Sequence, residues 1–277
     1  QVRNQAAELA RGEFLLWLDS GIAVFEAEWL QQLLNHAARP EVGAVGAKLL
    51  GGDRSVRQAG LVLGLGGVEG RAFTGLSPDA PGYLQRLQID QNYTALGGQC
   101  LMLRKHLFIE AGGFEQSKDL ARWADVDLCL RLHEAGYLNV WTPRVQMLIN
   151  EEELPPASVK EEDAMYARWL PQLARDPAYN PNLSLSDASG FKLAESPLSW
   201  RPLSSWKPLP TVLAYAADAM GCGHYRVIQP LGALNRAGLA DGVLSDRFLT
   251  VTELERFSPD SIVLQRQISD TQIEQIR

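Results

Sequence analysis

Residues 42–50, Val-Gly-Ala-Val-Gly-Ala-Lys-Leu-Leu, constrain the fold more than any other stretch of the chain. Only Lys48 interrupts a run of nine apolar or glycine positions, and Gly51-Gly52-Asp53 supplies a turn directly after it. Such a run reads as a buried strand, and a strand with both faces hidden needs other elements to cover it. Those elements can be read on either side. Trp29, Leu30, Leu33, Leu34 and Ala37 recur at helical spacing within 26–38, and Pro40 stops them. Residues 13–18 read as a strand, 124–135 as an amphipathic helix ended by Gly136, and 137–142 as a strand closed by Pro143. Strands and helices alternate, so the fold class is α/β.

The remaining segments fill in that frame. A short helix over 4–10 ends at Gly12. Residues 56–65 read as a strand, paired as a hairpin and terminated by Gly66-Gly67, and 69–92 as loop. Residues 94–104 are strand-like, with Gly97-Gly98 near the start, and 105–111 form a helix closed by Gly112-Gly113. A further helix follows Ala157 and runs to about residue 174. Pro177 and Pro181 then keep 176–183 in turns and extended backbone. Residues 184–210 are rich in Ser, Pro and Trp and read as a linker. A new unit starts at Thr211: a strand over 212–216, a glycine-punctuated turn Gly221-Cys-Gly-His-Tyr-Arg226, a helix over 227–237 closed by Gly238, and a strand over 261–265. That is a βαβ opening. The expected domains are therefore 1–183, a linker 184–210, and 211–277.

Several functional classes are disfavoured. A net charge of −7 argues against general nucleic-acid binding, which draws on a basic face, although an anionic ligand needs only a local cradle. Cys100, Cys129 and Cys222 lie far apart with no C-x-x-C pair, which suits neither a disulfide framework nor a zinc site and fits a reducing compartment. No apolar run reaches the ~18–20 residues of a membrane span. The first residues lack the apolar core of a signal peptide and have no initiator Met, so the sequence is expected to begin inside a longer polypeptide.

Four blocks, in order, carry a resemblance. They are Arg3-Asn-Gln-Ala-Ala with Ala10-Arg-Gly-Glu-Phe-Leu-Leu-Trp-Leu-Asp19; the strand 42–50; Gly97-Gly-Gln-Cys-Leu-Met-Leu-Arg104 with Gly112-Gly-Phe114; and Asp125-Val-Asp-Leu-Cys-Leu-Arg-Leu132 with Gly136, Tyr137 and Pro143. Together with 176–184, they resemble the later half of a family 2 glycosyltransferase domain, inverting and of GT-A fold, of the bacterial O-antigen and surface-polysaccharide type. The resemblance covers about residues 1–185 and implies a nucleotide-diphospho-sugar transferase domain lacking its N-terminal strands. The unit from 211 resembles, much more weakly, the Rossmann-like start of a GT-B glycosyltransferase domain. Implied partners are a nucleotide-sugar donor, a glycan or glycolipid acceptor, and other domains of the same polypeptide. No nucleic acid is expected. The implied place is cytoplasmic, peripheral at the inner face of the membrane.

By the same resemblance, Asp125 matches the general base that deprotonates the acceptor hydroxyl, a task that suits a positioned carboxylate. Ala124 stands where the family has Glu or Asn. Asp125 also suits a helix cap, and the two roles are compatible. Asp127 is open to an acceptor contact, but a helical pair with Arg131, four residues on, is the favoured account. Asp19 matches the first aspartate of an Asp-x-Asp motif that holds the donor, and Gly21 occupies the place of the second. The histidine expected after the strand ending near Pro143 is missing from 145–152, where Asn150 or Glu151 offers only oxygen. A divalent cation, Mn2+ or Mg2+, needs several oxygen ligands, so these departures put the metal site in question. Gly97 and Gly98 would let backbone approach the acceptor, or mark a bulge.

Other groups carry less. In the second unit, His224 and Arg226 are the candidates for a phosphate or substrate contact. His36 and His133 read as solvated, Cys129 as core, and Trp200 and Trp206 as anchors of the linker rather than sugar platforms. The alternative to a transferase is a degenerate, non-catalytic GT-A domain that binds glycan or scaffolds its neighbour, with a pyrophosphorylase-like domain a weaker third reading.

Overall fold

A computed structural model describes residues 2–150, 155–195, 207–266, 269–270 and 272–273. Glu151, Glu152, Glu153, Trp200 and Trp206 lie outside the described residues. Two compact units divide the chain, one of Gln1–Asn180 with Ser184–Lys192, the other of Pro181–Leu183 with Leu193–Arg277.

The first unit is α/β, as its sequence pattern indicates. After helix α1 (Val2–Leu9) come β1 (Phe14–Leu18), β2 (Ile22–Val24), α2 (Trp29–Ala37) and β3 (Val42–Leu50). All nine residues of β3 are buried. It pairs antiparallel with β8 (Cys100–Arg104) on one side and parallel with β9 (Leu138–Ile149) on the other, giving the order β1-β8-β3-β9-β2. Its one charge is accommodated by a backbone partner: Lys48 Nζ donates to Pro78 O at 2.9 Å and lies 5.9 Å over the Trp141 ring. Burial lowers the Lys48 pKa. Leu33, Ala37, Val45, Leu49, Met102 and Val145 form part of the core between helix and sheet.

Several boundaries differ from the sequence expectation. Residues 56–65 are not one strand. β4 (Val56–Gln58) returns along β3 as a hairpin, and β5 (Val62–Leu63) pairs with β6 (Glu69–Gly70) instead. The break falls at Gly60, whose φ of 83° is left-handed. Residues 94–99 are not strand either; β7 (Gln91–Tyr93) and β8 flank them. β9 runs through Pro143 rather than ending there. β7 pairs with 139–141 and β2 with 147–149, and the register with β3 shifts between Ala47 and Lys48. Pro143 thus sits at an irregularity, where a strand tolerates a missing N–H. β2 itself had no sequence signal. His36 is buried, not solvated, and its Nε2 lies 3.6 Å from Asp90.

Helix α3 (Lys105–Glu110), α4 (Ala124–Glu134) and α5 (Val159–Ala174) complete the unit. A buried polar cluster joins them. Asp127, fully buried, takes Arg131 Nε at 2.9 Å and Trp169 Nε1 at 3.0 Å, with Arg168 at 3.3 Å. Arg131 continues to Ala111 O, and to Gly113 O at 2.6 Å. Asn4 then clamps Phe114 with both ends of its carboxamide, at 2.8 and 3.0 Å. The i, i+4 Asp127–Arg131 pair expected from sequence is present.

The second unit has a parallel three-stranded sheet, β11-β10-β12, from β10 (Thr211–Tyr215), β11 (Asp241–Leu244) and β12 (Ser261–Leu264). Between β10 and β11 the chain is helical without a break from Gly221 to Arg236: α6 (Gly221–Gly223), a π-turn (His224–Ile228) and α7 (Gln229–Arg236). The glycine turn expected over 221–226 is therefore the start of a helix. Asp218 Oδ1 accepts from Gly223 N at 3.1 Å and so binds a free amide at the helix start. Helix α8 (Val251–Phe257), unread in the sequence, is opened by a Thr250–Glu253 capping box.

Asp127→Ala removes the acceptor of two buried donors and leaves the Arg131 guanidinium without its carboxylate. Loss of one partner of a buried ion pair costs ~3–5 kcal/mol. Urea unfolding is expected to show a loss of that size, and a loss under 1 kcal/mol would mean that the cluster is not a structural tie.

Candidate active site

The N-terminal end of α4 faces a cavity of about 830 Å³. Its wall is assembled from segments far apart in sequence: the Gly51-Gly52 turn, Arg57 and Gln58 of β4, the β5–β6 hairpin, Gly97 and Gln99 before β8, Arg122, Trp123, Asp125 and Val126 around the start of α4, and Ile149 and Asn150 at the end of β9. Asp125 is on that wall. Its Oδ2 accepts from Gly98 N at 2.5 Å and its Oδ1 from Val126 N at 2.9 Å. Burial raises the Asp125 pKa, while these two amides, its own amide and the Arg3 charge pull the other way. The carboxylate is thus held in place yet more basic than an ordinary aspartate. It does not cap α4, which starts at Ala124 without a side-chain cap.

Gly98 is what permits this approach, because a Cβ there would lie 3.0 Å from both Cβ and Oδ2 of Asp125. Gly97 lines the cavity beside Gln58 and Gln99, whose carboxamides join at 3.2 Å. Asp127, two residues along the helix from Asp125, points into the buried cluster described above, and its oxygens are engaged there. It is not among the lining residues.

Asp19 is exposed at the end of β1 and does not line the cavity, but its neighbours do. Asp19 N donates to Gln99 O at 2.8 Å, and Asn150 N donates to Gly21 O at 2.9 Å. Asp19 Oδ1 accepts from Gly21 N at 2.9 Å. Gly21 is held there by packing: a Cβ would lie 2.5 Å from the main-chain oxygen of Asn150. A carboxylate at position 21 is therefore incompatible with the β2–β9 pairing. Among the described residues, no three His, Cys, Asp or Glu side chains converge on a point. One aspartate with one oxygen already engaged does not fit a hard divalent cation that takes six or more oxygens. Asn150 meets Gly21 through its main-chain N–H, and its single side-chain oxygen does not complete such a shell; Glu151 is outside the described residues.

Cys100 and Cys129 are buried and play a packing role. Burial pushes the thiols of Cys100 and Cys129 up to about 12, which suits packing rather than chemistry. In the second unit, a cavity of about 420 Å³ is lined by Ala216, Asp218, Ser245 and Asp246, among others, at the C-terminal ends of β10 and β11. Half-buried His224 and exposed Arg226 are not among its lining residues. Sequence reasoning missed Arg57, Gln58, Arg71, Gln99 and Arg122 on the first cavity. Gln99 lies in one of the four blocks but carries no signal of its own, the others sit in no recognisable pattern, and only the tertiary fold gathers them.

No protein-family model matches the chain. It is 37% identical over 193 residues to the uncharacterized protein y4gI of Sinorhizobium fredii (strain NBRC 101917 / NGR234), covering 66% of this chain and 21% of that protein. It is 35% identical over 193 residues to the O-antigen biosynthesis protein RfbC of Myxococcus xanthus, covering 67% and 15%. It is 31% identical over 159 residues to an N-acetylglucosaminyl-diphospho-decaprenol L-rhamnosyltransferase of Mycobacterium tuberculosis (strain CDC 1551 / Oshkosh), covering 52% and 51%. The chain thus spans only about a fifth, a seventh and a half of these relatives. Among solved structures, GalNAc-T7 with UDP, GalNAc and Mn2+ matches 62% of this chain and 35% of that one, at a TM-score of 0.46 and 15% identity.

Gly21→Asp, which completes the Asp-x-Asp pattern on paper, is expected to destabilise the fold by roughly 1–3 kcal/mol through the clash with Asn150 O. It is expected to gain no Mn2+ affinity by isothermal titration calorimetry. A stable variant with new Mn2+ binding would show that the site accepts a metal after all.

Proposed function

We propose that the first unit carries a GT-A-type glycosyltransferase site, moving a sugar from a nucleotide-sugar donor to a polysaccharide or glycolipid acceptor, with Asp125 as general base. The observation that carries this reading is Asp125 itself: one carboxylate, raised in pKa by burial and held by the Gly98 amide, on the wall of a cavity of about 830 Å³. That volume suits a sugar nucleotide, since small-molecule sites run to several hundred cubic ångströms. Similarity to an O-antigen biosynthesis protein and to a rhamnosyltransferase supports sugar transfer as the chemistry. The order of the four sequence blocks supports the inverting, family 2 type.

In that reaction the acceptor hydroxyl attacks the anomeric carbon as its proton passes to Asp125. The bond from that carbon to the donor phosphate breaks, and the nucleoside diphosphate leaves with the bonding pair. The Gly98 and Val126 amides orient the carboxylate for in-line attack, and its raised basicity improves the proton acceptor. Asp19, bonded through its main-chain N–H to cavity-lining Gln99, would meet the donor through a ribose hydroxyl. The unit from 211 is proposed as the start of a second, GT-B-like transferase domain of the same polypeptide.

Asp125→Asn in the full-length protein is expected to cut transfer by about 10²–10⁴-fold, the usual contribution of a general base. The wild-type pH profile of kcat/KM should show an acidic limb above the ordinary aspartate range, because activity needs the ionised form and burial raises its pKa. Unchanged transfer in the variant would remove Asp125 from the mechanism.

A further inference from the structure

A departing diphosphate needs positive charge, and the described residues at Asp19 do not fit a cation. The cavity has another source. In a chain of net charge −7, its ionisable lining residues are Arg57, Arg71 and Arg122 against Glu69 and Asp125. The three arginines come from separate segments: β4, the loop after β6, and the turn before α4. The guanidinium groups of Arg57 and Arg122 are placed by neighbours. Arg57 Nη2 lies 3.2 Å from Asp53 Oδ2, and Arg122 sits 5.7 Å over the Trp123 ring while donating to Pro155 O at 2.8 Å. Planar guanidinium groups keep further N–H donors after one such contact, and they match phosphate oxygens in pairs.

We propose that Arg57, Arg71 and Arg122 form a diphosphate receptor that holds and charge-balances the leaving group without a divalent cation. This rests on the glycosyl-transfer reading and deepens it. Arg122 is three residues from Asp125, so the charge lies on the same wall as the base. When the glycosidic phosphate bond breaks, negative charge grows on the diphosphate oxygens. Fixed guanidinium donors stabilise that charge at no cost of reorganisation. The shared ligand chemistry is two linked phosphates, which distinguishes a nucleoside diphosphate from a single free phosphate.

The test is calorimetric titration of the full-length protein with inorganic pyrophosphate and with orthophosphate, first in EDTA and then in Mn2+. Pyrophosphate is expected to bind in EDTA at least about tenfold more tightly than orthophosphate, with little gain from Mn2+. Arg71→Gln and Arg122→Gln should each weaken pyrophosphate about tenfold or more, the range for a charged hydrogen bond. Arg122→Lys should recover part of the loss, and Arg11→Gln, at an exposed position off the cavity, should show no loss, with melting temperatures unchanged. Three results would each overturn the proposal: binding that requires Mn2+, equal affinity for both phosphates, or wild-type affinity in the arginine variants. None of them touches the transferase reading, which stands or falls separately on sugar transfer by Asp125→Asn.

Discussion

The Asp127 carboxylate is the constraint on which the first unit depends. A charge with no exposure persists only if its oxygens are filled, and here Arg131 and Trp169 fill them, with Arg168 close by. The consequences spread through the partners. Arg131 holds the carbonyls that follow α3, Asn4 holds the next residue from α1, and Trp169 brings in α5. Helix α4 is thereby fixed in rotation. With Asp127 turned inward, Asp125 two residues earlier faces the cavity. The first turn of the helix has one aspartate in the buried cluster and another on the cavity wall, and the first aims the second.

A similar economy shapes the wall opposite. β9 passes through Pro143 by shifting register, which lets one strand pair with β7 early and β2 late. The second pairing brings Asn150 against Gly21 and closes the space that a second aspartate would use. A pattern that reads in sequence as a missing ligand is, in the fold, a tight backbone contact. The positive charge on the cavity comes instead from arginines on three other segments.

Much of this was legible beforehand. The burial of 42–50, the helices at 29–37 and 124–134, and the α/β class follow from apolar periodicity, and the Asp127–Arg131 pair from helical spacing. What failed did so for identifiable reasons. The strand reading of 56–65 ran through Gly60 because β-rich composition hides a left-handed kink. His36 was read as solvated because its helix face cannot be ranked without knowing what packs there. The turn over 221–226 was read from glycines, yet Asp218 occupies the helix start that such a turn would offer to a ligand.

The sequence by itself determined the strongly periodic elements of the first unit and nominated Asp125, since the first depend on short-range pattern and the second on the order of recognisable blocks. Tertiary structure decided which carboxylates are available and what surrounds them. Gly98 reaches Asp125 across 27 positions, Asn150 reaches Gly21 across more than a hundred, and Arg57 and Arg122 share one cavity. No local pattern encodes those distances, because they are set by the register of a mixed sheet and the rotation of a helix pinned at its buried aspartate.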